Sequence, residues 1–503
     1  MFSKSNTNGP ARSTTSPTNG GPGRVVGSGE LRRSALSGPQ MLIVAIAATG
    51  PMAGLALNLG PMASFAGETF ILSFVFSLVG IFLLSLCFQQ FARHYPSAGG
   101  LYAWSVQAYG KSGGFIYGWL FVWAYFVFAA AGFTVLGGWT NEAIQSLFGV
   151  GIPWWIFSLV ALAFTVLLAY YGITRSANSS LVLVAVEIII ALAFAAFVFI
   201  YPSHPISRFT FKPFLPSSAV GGWSVVGLAM TYSVLSSVGF ETASTLGEEA
   251  TDTRRTVGRS MVGAGLITQV FFIVTAYALL IGYADMGKFS KDPAPLLTLA
   301  AQHGKTWTTL VVLAALASML AFSQMAFNAG TRVMYSLGRE GVLPHALGRT
   351  HASHKTPYNA IILMAVLCIV LAVPLALAVG AFYVWYYFGF LVGIAFLLLY
   401  GVLALGLIST AFRDKKAFPK VKLISHVVIP ILTAVFMGYP LYRTIVPLPT
   451  GVYRTLPLYL IGWIVVGVIF LNYLKKKRPD AIARVGSLMA GGSSIEVQEE
   501  AKI

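Results

Sequence analysis

Gly239-Phe240-Glu241-Thr242-Ala243-Ser244-Thr245-Leu246-Gly247-Glu248-Glu249 closes an otherwise apolar run that begins near Val220. On that reading Glu241 lies at bilayer depth, while Glu248 and Glu249 reach the membrane edge. A carboxylate at the bilayer centre costs about 2.5–3.5 kcal/mol on insertion scales, and such residues usually face a polar cavity. Gly239, two residues earlier, weakens the helix at the same place. A charge and a helix break together, inside a membrane, are what a solute-binding site needs.

Working outward, composition sets the class. Apolar residues make up 56% of the 503-residue chain and charged residues only 10%, with a mean hydropathy of +0.76. A soluble chain carries roughly 25% charged residues. The sequence therefore reads as an all-α, polytopic membrane protein. Apolar runs of about 20 residues fall near 39–63, 68–91, 113–136, 152–172, 179–201, 220–247, 261–283, 307–337, 358–378, 382–408, 425–446 and 456–474. That is about twelve helices. The 220–247 and 307–337 runs are too long for a simple perpendicular span, which predicts breaks or extensions beyond the bilayer.

Basic residues set the orientation. Arg93, Lys111, Arg175, Arg254, Arg255, Arg259, Arg339, Arg349, Lys355 and the Arg413–Lys422 cluster fall on one set of alternate loops. Arg32, Arg33 and Lys475–Arg478 put both termini on that same, cytoplasmic side. The net charge of +17 is thereby explained by flanks lying beside anionic lipid, with no nucleic-acid partner. Residues 1–30, rich in Ser, Thr, Gly, Pro and Asn, read as a disordered cytoplasmic tail, and 479–503 as a short polar one. The transporter domain between them covers 31–475: a first half over 39–201, a second over 220–408, and two further helices over 425–474. The cell membrane is the expected location. Cys87 and Cys368 lie inside predicted spans as small packing residues.

Two segments place Gly or Pro inside apolar sequence. Thr49-Gly50-Pro51-Met52-Ala53-Gly54-Leu55-Ala56 interrupts the first span, where Pro51 removes an amide donor and Gly50 and Gly54 free the backbone. Ser236-Ser237-Val238-Gly239-Phe240-Glu241 interrupts the sixth. Breaks five spans apart point to a binding site built on an inverted repeat. Kinks that only aid packing are the plainer reading of either break alone.

Three motifs carry a family resemblance. The loop after the second span reads Tyr95-Pro96-Ser97-Ala98-Gly99-Gly100-Leu101-Tyr102. The sixth span and its loop run from Gly239-Phe240-Glu241 to Glu248-Glu249 and Arg254-Arg255. The eighth ends Gly338-Arg339-Glu340-Gly341-Val342-Leu343-Pro344, with Thr356-Pro357 beyond. Over roughly residues 31–475 the chain resembles the amino acid–polyamine–organocation transporter superfamily. The resemblance implies a five-plus-five inverted repeat with two extra helices. A small-molecule substrate, an amino acid or amine, would sit between the broken first and sixth helices and cross by alternating access. Proton coupling or exchange is the family habit, with sodium as the other candidate ion.

The family's first helix usually carries a Gly-x-Gly core whose bare amides receive the substrate carboxylate at a half-helix end. Here the second Gly is missing, so the whole Thr49–Ala56 segment is the candidate. Ser236, Ser237 and Gly239 join it from the sixth span, and family position adds Leu235 there and Tyr125, Phe126 and Ala130 from the third. Glu241 matches the family glutamate that links the broken helices and gates the site; its bland alternative is a buried structural carboxylate. Glu187, deep in the fifth span, stands where several members carry a lysine that replaces a sodium ion. Its reversed charge suggests a protonatable group or a cation site, or else a packing carboxylate. Ser323, Gln324 and Asn328 are polar at bilayer depth in the eighth span, either as interhelical bonding groups or as ligands for a coupling cation. The aromatic run Tyr383, Trp385, Tyr386 and Tyr387 reads as an interfacial belt or an outer gate. His345, His351 and His354 share one loop without further metal ligands. No cofactor or catalytic motif is present in the sequence, so enzyme function is not expected.

Overall fold

The computed structural model describes residues 37–96, 99–172, 177–201, 211–249, 253–283, 286–447 and 449–486. The 1–30 tail, Ser97, Ala98, Arg175 and residues 487–503 lie outside the described residues, as do the side chains of Asn178–Ser180, Glu248 and Glu249. Among the described residues every regular element is helical.

The first span is two helices, α1 (Gly38–Thr49) and α2 (Pro51–Ala66), hinged on Gly50. Gly50 takes φ 59° and ψ 67°, a left-handed turn that suits glycine, and Pro51 then occupies the first helical position, where no amide is needed. α3 (Phe70–His94) follows, and then α4 (Gly100–Phe148), a long helix with a swivel at Gly110, φ 70°. α5 (Trp154–Tyr171) and α6 (Ala177–Ile200) complete the first half. The sixth span splits as sequence predicts. α7 (Trp223–Leu235) ends early, and the chain restarts as a 3₁₀ stretch, Phe240–Glu249.

α8 (Gly258–Gly282), the short α9 (Met286–Phe289) and α10 (Pro295–Gln302), and α11 (Lys305–Arg339) come next. α11 runs 35 residues without a break, roughly 50 Å at 1.5 Å per residue, so it resolves its excess length by extension. α12 (Tyr358–Val379), α13 (Ala381–Arg413), α14 (Ile429–Arg443) and α15 (Leu456–Lys477) finish the bundle, with a short α16 (Pro479–Ala483) beyond. Among the described residues, ten helical segments are long and apolar enough to cross a membrane. The first, Gly38–His94, contains α1, α2 and α3 together, and α7 is a shorter apolar helix besides.

Burial sorts these helices by role. The most apolar window of α4 is wholly buried, and α4 packs against α5, α11, α12, α13 and α15. In α5 only 22% of that window is buried, and Val160, Phe164 and Leu167 point outward. Exposed apolar side chains on outer helices are what lipid contact demands. α15 is stapled to α4 by Trp119 and Trp463. Their rings stack at 4.6 Å, and each indole N–H donates to the other's backbone carbonyl, at 3.0 and 3.2 Å. One segment departs from expectation. Residues 479–486, predicted as the start of a polar tail, dock on the bundle with Ile482 and Val485 buried. The sequence clue is the apolar pair itself, three residues apart and therefore on one helical face.

Candidate substrate site and its gates

The two breaks meet in the middle of the bundle. Gly239 has φ +115°, and a Cβ there would stand 2.4 Å from the carbonyl oxygen of Ala48. Only glycine permits this backbone-to-backbone contact between the sixth-span break and the end of α1. The turn itself closes through 3₁₀-type bonds, Ser237 N–H to Val234 O at 2.9 Å and Val238 N–H to Leu235 O at 3.0 Å. Gln269 of α8 supports it by donating Nε2 to Ser237 Oγ at 2.7 Å and to Ser233 O at 3.1 Å. Its sequence signal was a lone amide in the apolar seventh span.

Between the breaks lies a cavity of about 10 Å³, room for a single water. Thr49, Ala53, Gly54 and Asn58 line it from α1 and α2, and Leu235 and Ser236 from the end of α7. Phe128 of α4, Phe322 of α11 and Trp385 of α13 supply an aromatic wall. Asn58 spans the site: its Nδ2 donates to Ser236 Oγ at 2.8 Å, and its Oδ1 accepts from Trp385 Nε1 at 3.1 Å. In the first turn of α2 Pro51 brings no amide, Ala53 N–H donates to Ser318 Oγ at 3.1 Å, and Gly54 N–H bonds Gly50 O. A ligand carboxylate at this helix end would compete with Ser318 for the Ala53 amide.

The candidates named from sequence therefore divide. Thr49, Ala53, Gly54, Leu235 and Ser236 line the cavity. Gly50, Pro51, Ser237 and Gly239 shape the breaks behind it. Met52, Leu55 and Ala56 are buried in the packing of α2, and Ala130 in that of α4, away from the lining. Phe126 turns toward Trp463, ring centroids 6.1 Å apart. Ser323 donates back to Met319 O at 2.7 Å within α11, against Gly132, and Asn328 is half-buried a turn further on. The α11 hydroxyl that does reach the first break is Ser318. Asn58, Phe128, Phe322 and Ser318 were missed, because a 3.6-residue period does not say which face of a wholly buried helix meets a break.

Glu241 is buried but lies off the cavity lining. Its Oε2 accepts from Gly239 N–H at 2.9 Å, and its Oε1 from the Tyr125 hydroxyl at 3.2 Å. The Tyr117 and Tyr400 hydroxyls face the same carboxylate and have no other partner among the described residues. Glu241 thus ties the sixth-span break to α4 and α13, while the link to α1 is made by Gly239. Glu187 is 4% exposed on α6, which packs against α1, α2, α8 and α11.

Two layers close the cavity. On one side Phe65 of α2, Tyr232 of α7 and Phe390 of α13 pack together, and the Tyr232 hydroxyl donates to Tyr386 O. On the other side Phe240 stacks on Phe88 at 5.9 Å with Tyr400 against both. Further out, Tyr102 of the first motif donates to Glu340 Oε2 of the third at 2.8 Å.

A family model described as amino acid permease matches residues 40–470. The branched-chain amino acid permease of Lactococcus lactis is 26% identical over 376 residues, 71% of this chain and 78% of its own. The corresponding permease of Bacillus subtilis is 25% identical, over 61% and 68%. The low-affinity putrescine importer of Escherichia coli is 28% identical, over 59% and 65%. Family and relatives alike are transporters rather than enzymes. Broken helices, a buried cavity between them and a match running over most of the chain lead to one conclusion: this integral membrane protein belongs to the amino acid permease family.

Proposed function

We propose that the chain is a secondary active carrier of an amino acid with an uncharged, apolar side chain, moved by alternating access. The observation that carries this reading is the cavity lining, where Phe128, Leu235, Phe322 and Trp385 are apolar and Thr49, Asn58 and Ser236 are neutral. An α-ammonium would be met by carbonyls at the end of α1, and a carboxylate by amides at the start of α2. The named substrates of the branched-chain relatives agree with this. A diamine, the alternative suggested by the putrescine relative, needs an anion at each end, and Glu241 is engaged with Tyr125 and Gly239 outside the lining. A cavity of one water's size is a contracted form, and accepting a substrate requires the breaks to part.

Competition against labelled leucine tests the reading, since ligands that bind the folded state also raise apparent stability. Leucine, isoleucine and valine should compete and raise the melting temperature. 3-Methylbutylamine, which is leucine without its carboxylate, and putrescine should not. A stronger effect of the amines would replace this reading with an amine carrier.

Proton coupling through Glu187 completes the proposal, with the protein in the cell membrane and both termini cytoplasmic. A buried carboxyl on α6, a helix that packs against the broken first span, would change the charge of the core when it gains a proton. Glu187→Gln should then keep counterflow exchange and lose uphill uptake driven by a proton gradient. A sodium requirement would make Glu187 a cation ligand instead, and full proton-driven accumulation by the variant would leave it a packing residue.

A further inference from the structure

Gly451-Val452-Tyr453-Arg454 joins α14 to α15, in a part of the chain that the family pattern leaves outside the transport core. The Tyr453 ring nevertheless reaches the middle of the aromatic layer. It meets Phe65 edge-on at 5.0 Å, Phe390 at 5.1 Å and Tyr387 at 5.9 Å, and its hydroxyl faces that of Tyr232. Above this layer a cavity of about 500 Å³ opens, with Phe65, Tyr387 and Tyr453 among its walls. Below it lies the 10 Å³ cavity, lined by Asn58 and Leu235. Phe65 is two helical turns beyond Asn58 on α2, and Tyr232 is three residues before Leu235. The layer is therefore the partition between an open space and the closed site, about 10 Å thick along α2 and about 5 Å along α7 at 1.5 Å per residue.

The elements meeting at Tyr453 have different anchors. Phe65 and Tyr232 belong to the broken helices α2 and α7. Tyr453 sits in the turn that leads directly into α15, which the reciprocal Trp119–Trp463 pair fixes to α4, with Gly467 letting the Trp119 ring approach closely. Any parting of the broken helices from α4 must pull Tyr232 and Phe65 away from Tyr453.

We propose that Tyr453 is a gate residue, holding the partition shut from a helix outside the core. This rests on the reading of the chain as an alternating-access carrier. Ring contacts of this kind are attractive beyond their area burial, so losing several at once shifts a closed–open equilibrium measurably.

The test is a cysteine reporter, Leu235→Cys, in a background with Cys87→Ala and Cys368→Ala, purified in detergent and treated with a bulky cationic thiol reagent without substrate. Tyr453→Ala should speed modification about tenfold, a shift of one decade in the open population. Tyr453→Phe keeps the ring, loses the hydroxyl and should speed it about two- to threefold. Tyr459→Ala, exposed on the same helix, should change nothing. If Tyr453→Ala fails to fold, Tyr453→Phe carries the test alone. Rates equal to the parent in every folded Tyr453 variant overturn the gate. Leucine binding is measured separately on the Leu235 parent. Its absence would sink the proposed substrate and leave the gate standing, whereas unchanged rates with intact leucine binding sink the gate alone.

Discussion

The two layers that close the central cavity are built from different chemistry. Toward the open cavity, Phe65, Tyr232, Phe390 and Tyr453 pack ring on ring. A carboxylate on that side, Asp292, is half-buried and bonds to Tyr283 and to Ala294 N–H of its own loop. Toward the face that carries both ends of the described chain, the layers are organised by fully buried carboxylates. Glu241 gathers Gly239 and Tyr125, and Glu340 gathers Tyr102 and the Gly486 amide. Aromatic contacts give way to shear and separation, and a buried carboxylate also responds to protons. The aromatic layer can therefore open by packing alone, and a proton can act directly at the carboxylate layer.

The largest effect tests the backbone contact on the carboxylate side. Gly239→Ala must place a methyl 2.4 Å from Ala48 O at φ +115°. We expect a loss of at least about 2 kcal/mol, seen as a large fall in melting temperature or in folded yield. Gly50→Ala, with φ +59° and Phe322 Cβ at 3.1 Å, should cost about 1–2 kcal/mol, because that approach asks for only a few tenths of an ångström of give where the Ala48 carbonyl asks for far more. Equal melting temperatures for the two variants would mean that the breaks are equivalent, against the geometry.

Next comes a pair that sets the layers against each other. Glu241→Gln should remain folded and lose transport by at least about tenfold, since an amide nitrogen cannot accept and one of the two bonds, from Gly239 N–H or from the Tyr125 hydroxyl, is lost. Tyr232→Phe, which loses the hydroxyl bond to Tyr386 O in the aromatic layer, should stay within about threefold. Uptake at matched expression reads both. Normal uptake by a well-expressed Glu241→Gln protein would make Glu241 a structural carboxylate.

Most of the fold was legible because its signals are strong and local. Long apolar runs give spans, Gly50-Pro51 and Gly239 give the breaks, and Pro at the first helical position gives the restart of α2. The site was legible only along those breaks, at Thr49, Ala53, Gly54, Leu235 and Ser236. Its aromatic wall and Asn58 depend on the rotation of buried helices, which a wholly apolar helix does not record. Gly54 shows the same limit. From sequence it reads as bare backbone facing the ligand, but a Cβ there would strike the Phe272 ring at 2.5 Å. Gly54→Leu should therefore weaken leucine binding by displacing Phe272, and adding Phe272→Ala should restore much of the affinity. No rescue in the double variant would return Gly54 to direct contact with the ligand.

The smallest expected effect is local and depends on pH. Glu340, at the end of α11, is fully buried where residues 479–486 dock, and burial pushes its carboxyl from the usual 4.5 up to about 7, against the Tyr102 and Gly486 hydrogen bonds that favour the charged form. With the segment undocked, Glu340 would be exposed and titrate near its usual value. Between about 4.5 and 7 the docked form then holds more protons than the undocked one, so docking weakens as pH rises. Its proton-linked stability is fully present below 4.5 and is lost as pH climbs through 7. A spin label on Ala483→Cys, an exposed position on α16, placed in the background lacking Cys87 and Cys368, should become more mobile between pH 5 and pH 8. Glu340→Gln is the control. That variant mimics the protonated acid and should flatten the profile at the low-mobility end. A pH response that survives in Glu340→Gln would show that this carboxyl does not govern docking and would remove it from the outermost layer.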